Sequence, residues 1–134
     1  GYYQYEDGSR TPIEDADANE LIRRVAAELG FERKEFSNDE ILKRCLYPLI
    51  NTGAKLLSEG HALRAGDIDT VYVNGYGFPK YTGGPMWFAD TQGLENVLND
   101  IERFYKETGD DLWRPAELLK TLARDGRTFA SLDA

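Results

Sequence analysis

Cysteine, methionine and histidine occur once each in 134 residues, as Cys45, Met86 and His61. A single cysteine excludes an internal disulfide and points to a reducing compartment. One histidine with one cysteine cannot complete a structural zinc site. No apolar run is long enough to cross a bilayer, and the N-terminus has no signal-peptide pattern. Because the chain opens at Gly1 and its one methionine is residue 86, it reads as a processed product or an excised piece of a longer protein. Positive charge is also short, with 16 Lys and Arg against 24 Asp and Glu, a net charge of −8 and a pI near 4.7. That balance argues against nucleic acid, whose binding depends on cations neutralising phosphates, and against an anionic membrane surface. The basic residues come in scattered pairs, Arg23-Arg24, Arg33-Lys34 and Lys43-Arg44, which suit solvated helix faces better than a patch.

What remains is one domain's worth of chain with helical periodicity. The opening "GYYQYEDGSRTP" reads as a short extended arm followed by a linker. From Asp17 a helix is expected, with Leu21, Ile22, Val25, Ala26 and Leu29 on one face and Gly30 as its stop. "SNDE" at Ser37 to Glu40 is a capping box, in which the Ser37 hydroxyl and the Glu40 side chain each take the other's amide. The helix it opens is expected to reach about Gly60. Its wide apolar face comprises Ile41, Leu42, Cys45, Leu46, Leu49, Ile50, Ala54 and Leu57, which suits a central helix. Pro48 inside it predicts a kink. Asp67 can cap a short helix through Val73. Pro85 suits the first turn of another from Gly84 to Asp90, whose "MWFA" is apolar nearly all round and therefore expected to be buried. Leu94, Val97, Leu98, Ile101, Phe104 and Tyr105 mark a helix ending near Gly109. Pro115 opens the last, with Leu118, Leu119 and Leu122 inward and Gly126 as its stop. No strong strand pattern or repeat appears, so the architecture is read as all-α.

Residues 73–90, "VNGYGFPKYTGGPMWFAD", gather four glycines with five aromatics. Gly75-Tyr76-Gly77 imitates a dinucleotide fingerprint, but Lys80 stands where its third glycine belongs, and a helix rather than a strand precedes it. No Walker sequence occurs. "DADANE" imitates a calcium loop through Asp15, Asp17 and Asn19. Glu20 replaces the glycine of its sharp turn and Ala26 the bidentate glutamate, so it reads as an acidic helix start. Cys45 is expected in the core and His61 as a polar end group. Asp67 and Asp69 are better explained by capping than by acid–base chemistry. The residues alone contain no credible catalytic constellation.

The stretch from Ser37 to Asp90, with "LWRPAELLKTLARDGRTF" after it, resembles the second C-terminal helical domain of bifunctional fatty-acid β-oxidation enzymes, which join enoyl-CoA hydratase to 3-hydroxyacyl-CoA dehydrogenase. "GYYQY" resembles the close of the preceding helical domain in such enzymes. The resemblance implies residues 1–14 as that domain's end and a linker, and 15–134 as a helical domain like the C-terminal part of 6-phosphogluconate-dehydrogenase-like proteins. It places the NAD-binding Rossmann domain and the catalytic His–Glu pair upstream, with no cofactor or metal bound by this piece and none of its residues catalytic. The catalytically engaged helical copy carries an Asn-Arg pair where this chain has Lys43-Arg44, which implies the non-catalytic copy.

Three roles follow from the resemblance and the loop. The first is a structural and docking domain, with Gly83 and Gly84 permitting close backbone approach and Tyr76, Phe78 and Tyr81, beside Pro79, as anchors for an adjoining domain. Packing of the same aromatics on their own helices accounts for them equally well. The second is an acyl-CoA-binding module, with Asn74 and Tyr76 in contact. The third is a self-associating helical protein. Expected partners are the upstream Rossmann, first helical and hydratase domains, the parent's acyl-CoA substrate and, by family, a thiolase subunit. The ending "SLDA" is not an SKL-type address; it points to the cytoplasm, with a peroxisomal address open if the chain is truncated.

Overall fold

A computed structural model describes residues 2–32 and 34–133. Gly1, Arg33 and Ala134, on which the expectations for the arm, the Arg33-Lys34 pair and the chain end partly fall, lie outside the described residues. The fold comprises two compact units, 1–36 and 37–134, so the first helix shares a unit with the N-terminal arm.

In the first unit, β1 (Tyr3–Gln4) pairs antiparallel with β2 (Ile13–Glu14) in the register Tyr3↔Glu14 and Gln4↔Ile13. The arm is extended as expected, and the following segment turns back on it as a hairpin. Helix α1 (Ala16–Glu28) starts at Asp15, whose carboxylate accepts from the amides of Asp17 and Ala18. The acidic run thus opens a helix. No residue of α1 is buried, and its apolar stripe of Leu21, Ile22, Val25 and Leu29 is exposed.

The second unit is built round α2 (Asn38–Ser58), against which α3 (Ala65–Gly75), α4 (Pro85–Gln92), α5 (Leu94–Thr108) and α6 (Glu117–Arg124) pack. Short 3-10 turns lie at Lys80–Thr82, Asp111–Trp113 and Ala130–Leu132. The all-α expectation holds for this unit. Ser37 caps α2 by accepting from the Glu40 amide, but the Glu40 carboxylate accepts from the Arg44 guanidinium, so the reciprocal half of the box is not made. The helix runs through Pro48 without interruption.

The wide apolar stripe of α2 divides. Tyr47, Ile50 and Ala54 enter the core, whereas Ile41, Leu42 and Cys45 are exposed. Cys45 is therefore not the core residue its neighbours suggested, because the buried face is centred one helical step further round, on Tyr47 and Asn51. Trp87 is also exposed, contrary to the expectation for "MWFA", while Met86 and Ala89 on the same short helix are buried. Eight residues make about two turns, so one side faces outward whatever its composition.

Asn51 is the one fully buried polar side chain among the described residues. Its amide donates to the carbonyls of Leu112 (3.2 Å) and Arg114 (2.9 Å), and its oxygen accepts from the Ala116 amide (2.8 Å). Ala116 is the residue before α6, which has no side-chain cap of its own. One amide on the central helix thus fixes the whole approach to the last helix.

Helix α4 likewise starts without a local cap, at Gly84, with φ 100° and ψ 171°. That region is open to glycine almost alone. A Cβ there would also lie 2.5 Å from the Asp69 carboxylate. Close approach at Gly84 was expected, and the structure supplies its partner. Gly77 also has positive φ, at 71°, but faces open space. Gly84→Ala is therefore expected to lower unfolding stability by about 2–4 kcal/mol, combining strain with a displaced cap. Gly77→Ala should cost about 1 kcal/mol, from the backbone alone. Urea unfolding of both variants checks this, and equal losses would contradict it.

Candidate functional site

The loop between α3 and α4 holds the residues singled out by sequence. Asn74, one residue from the end of α3, donates its amide to the Thr70 carbonyl one turn back (2.9 Å). Tyr76 is 77% exposed and Tyr81 90% exposed. Pro79 is exposed, and its carbonyl accepts from the Thr82 hydroxyl at 2.6 Å. Phe78 differs. It is 8% exposed, its ring meets Tyr72 edge-on at 6.3 Å between centroids, and its amide donates to the Tyr72 carbonyl. Phe78 is committed to its own helices and is not an accessible anchor. What the loop presents is Tyr76, Tyr81 and, from the next helix, Trp87.

The glycines of the loop do not fit a dinucleotide phosphate. Gly75 is the last residue of α3 and Gly77 follows it. The fingerprint needs a helix N-terminus, where free N–H groups and the positive dipole end face the phosphate. Here the nearer terminus is a C-terminus, which carries carbonyls and the opposite sign. No step of NAD chemistry can be assigned to these residues.

Cys45 and His61 do not come together. Cys45 lies in the second turn of α2 and His61 beyond its end, so about 20 Å of helix rise separates them. His61 stands 3.5 Å from the Glu59 carboxylate, with both side chains exposed. Asp67 does not cap α3 either. The helix begins two residues earlier, at Ala65, and Asp67 pairs with Arg64 at 2.7 Å.

Lys43 and Arg44 instead belong to a lattice of charge joining α2 to α5. The Lys43 ammonium bridges Asp39 (3.0 Å) on its own helix and Asp100 (3.1 Å) on α5. Arg44 pairs with Glu40 and Glu107, while Arg103 reaches Asp100 and Glu107 from the α5 side. The guanidiniums of Arg44 and Arg103 also lie 4.1 and 4.3 Å from the ring centroid of the buried Phe104, a cation–π arrangement. The hydrogen bonds that the Lys43 ammonium donates to the Asp39 and Asp100 carboxylates push its pKa well above the ordinary value. Burial would raise the Asp100 carboxyl, but hydrogen bonds from Arg103 and Lys43 outweigh it and hold the group below the usual carboxylate range. Arg44 does the same to Glu107.

These features define a helical module with an exposed aromatic loop, whose most prominent cations are held by acids of the same fold. The chain belongs to the family of the 3-hydroxyacyl-CoA dehydrogenase C-terminal domain, whose model matches residues 41–130. It is 39% identical over 128 residues to the peroxisomal bifunctional enzyme of Homo sapiens, covering 94% of this chain and 18% of that protein. It is 31% identical over 130 residues to the peroxisomal fatty acid beta-oxidation multifunctional protein AIM1 of Arabidopsis thaliana, covering 94% and 18%. Against the fatty acid oxidation complex subunit alpha of Idiomarina loihiensis it is 40% identical over 95 residues, covering 69% and 13%. The chain thus spans less than a fifth of the length of these relatives.

Because the Asp100 carboxyl is depressed in the folded state, its contribution is present above the ordinary carboxylate value and is lost as pH falls through the folded one. Asp100→Asn should therefore cost about 1 kcal/mol at neutral pH. The gap to the unsubstituted chain should narrow at acid pH, below the ordinary carboxylate range, as the depressed Asp100 carboxylate becomes protonated. Urea unfolding at both pH values measures it. A gap independent of pH would show that the charge of Asp100 contributes nothing.

Proposed function

We propose that this chain is the second, non-catalytic helical domain of a multifunctional fatty-acid β-oxidation enzyme, acting as a structural and docking body. The parent would combine NAD-dependent 3-hydroxyacyl-CoA dehydrogenase with enoyl-CoA hydratase. Residues 1–14 would close the preceding domain and link to this one. The carrying observation is the Lys43–Asp100 bridge. Where the catalytic copy has an asparagine free to serve substrate, this chain has an ammonium held by two carboxylates, in a lattice that ties α2 to α5. A group so paired supports a structural task.

The upstream Rossmann, first helical and hydratase domains are the partners this reading requires. Tyr76, Tyr81 and Trp87 are its exposed anchors, since large amphipathic rings dominate such contacts. NAD and the acyl-CoA substrate belong to the parent, whose chemistry this domain would brace. A reducing compartment suits the exposed Cys45: the cytoplasm, or the peroxisome that the names of two relatives carry. Direct acyl-CoA binding by the loop is less well supported, because Lys80 is the only cation between residues 74 and 81 to set against the phosphates of a CoA.

The isolated chain should fold cooperatively, bind no NAD in calorimetry and oxidise no 3-hydroxyacyl-CoA. Turnover by this chain alone would refute the reading, and heat on titration with acyl-CoA would favour the binding-module alternative.

A further inference from the structure

Three aspartates in the second unit each cap a segment other than their own. Asp69, on α3, accepts from the amides of Met86 (2.7 Å) and Trp87 (3.0 Å) at the start of α4. Asp90, on α4, accepts from Phe129 (2.8 Å) and Ala130 (3.0 Å) at the start of the last 3-10 turn. Asp133, at the end of that turn, accepts from Ala65 (2.9 Å) and Gly66 (3.1 Å) at the start of α3. The order closes on itself: α3 caps α4, α4 caps the turn, and the turn caps α3. None of the three starts has a side-chain cap from its own segment.

The spacing repeats as well. Each aspartate stands four residues after the first amide capped in its own segment: Ala65 to Asp69, Met86 to Asp90, Phe129 to Asp133. In an α-helix the amide at i+4 bonds the carbonyl at i, so each capping carboxylate hangs from the very turn that another one secures. In the last segment the Asp133 amide donates to the Ala130 carbonyl at 3.2 Å. If Ala65 frays, Asp69 loses its backbone anchor, and the start of α4 loses its cap. The fault then travels through Asp90 to the final turn and back to α3.

We infer that these three carboxylates form one cooperative clasp, through which the chain's last turn sets the stability of α3, α4 and the 76–84 loop hung between them. Asp133 makes no hydrogen bond to α4, so its influence there would pass through Asp69. Asp90 and Asp133 also lie near enough to Asp69 to act on its charge. Burial, with Asp90 and Asp133 adding to it, holds the Asp69 carboxyl above its ordinary value despite two amide donors. The interdependence of the ring's members rests on its closed order of caps and on the four-residue spacing within each segment. This inference stands whether or not the loop docks on anything.

Amide exchange of the 134-residue chain, followed residue by residue by NMR, tests it. Asp133→Ala should speed exchange about tenfold at Met86 and Trp87 as well as at Ala65 and Gly66, the size of one lost cap. Asp110→Ala, which removes the cap of the 111–113 turn outside the ring, should speed exchange at Leu112 and leave Ala65, Gly66, Met86 and Trp87 unchanged. Asp69→Ala combined with Asp133→Ala should lower the melting temperature by clearly less than the sum of the singles. Should Asp133→Ala fail to fold, Asp133→Asn keeps one acceptor oxygen and is read in the same way with a smaller factor. Exchange faster at Ala65 and Gly66 alone, or additive melting losses, overturns the clasp.

Discussion

A helix of eight residues leaves about as many backbone donors open in its first turn as it closes within itself. Two of the five helices packed in the second unit, α4 and α6, are of that length. Neither carries a serine, threonine or aspartate at its own start. Their donors must still be satisfied, because an unpaired buried amide costs on the order of 1–3 kcal/mol. For three helices the answer is a polar side chain from another element: Asn51 for the approach to α6, Asp69 for α4 and Asp133 for α3. These bonds fix which helices are neighbours, whereas apolar packing of Ile50, Met86, Ile101, Phe104 and Leu119 fills the space between them. A glycine at position 84 is the complement of this device, since any Cβ there would occupy the place of the capping carboxylate.

The charged residues follow the same economy of internal pairing. Asp39, Glu40, Asp100 and Glu107 surround Lys43, Arg44 and Arg103 along the α2–α5 seam, with Phe104 beneath the two guanidiniums. Strong acidity overall is therefore compatible with well-balanced charge at this seam. On the outer side, by contrast, Leu63, Val71, Tyr76, Tyr81 and Trp87 have no apolar cover. On the proposed function, such a surface would meet other domains of a larger polypeptide.

Much of the fold was legible in the residues. Periodicity, with cap and proline signals for α3 and α4, located the six helices of the described residues within a few positions, since amphipathic stripes of Leu94 to Tyr105 or Leu118 to Leu122 admit one reading. Exposure on the ambiguous faces was harder. Cys45 and Trp87 sit in apolar company, yet the geometry of the neighbouring helices, which no local pattern encodes, turns them outward. Phe78 was grouped with Tyr76 and Tyr81 because composition cannot tell a ring folded back on Tyr72 from one facing solvent. Asn51, Asp90 and Asp133 carried a fainter signal. A short helix preceded by glycine or alanine, with no local cap, implies an acceptor elsewhere, though sequence separation hides which side chain supplies it.

Central to the account is that this domain supports chemistry performed by other parts of a longer polypeptide. The most direct test removes the domain from that parent and returns it as a separate chain. A dehydrogenase truncated before this segment should lose 3-hydroxyacyl-CoA oxidation and regain it saturably as purified chain is added. Recovery should be weakened when Tyr76 and Tyr81 are replaced by alanine. Full activity of the truncated parent with nothing added would contradict the account.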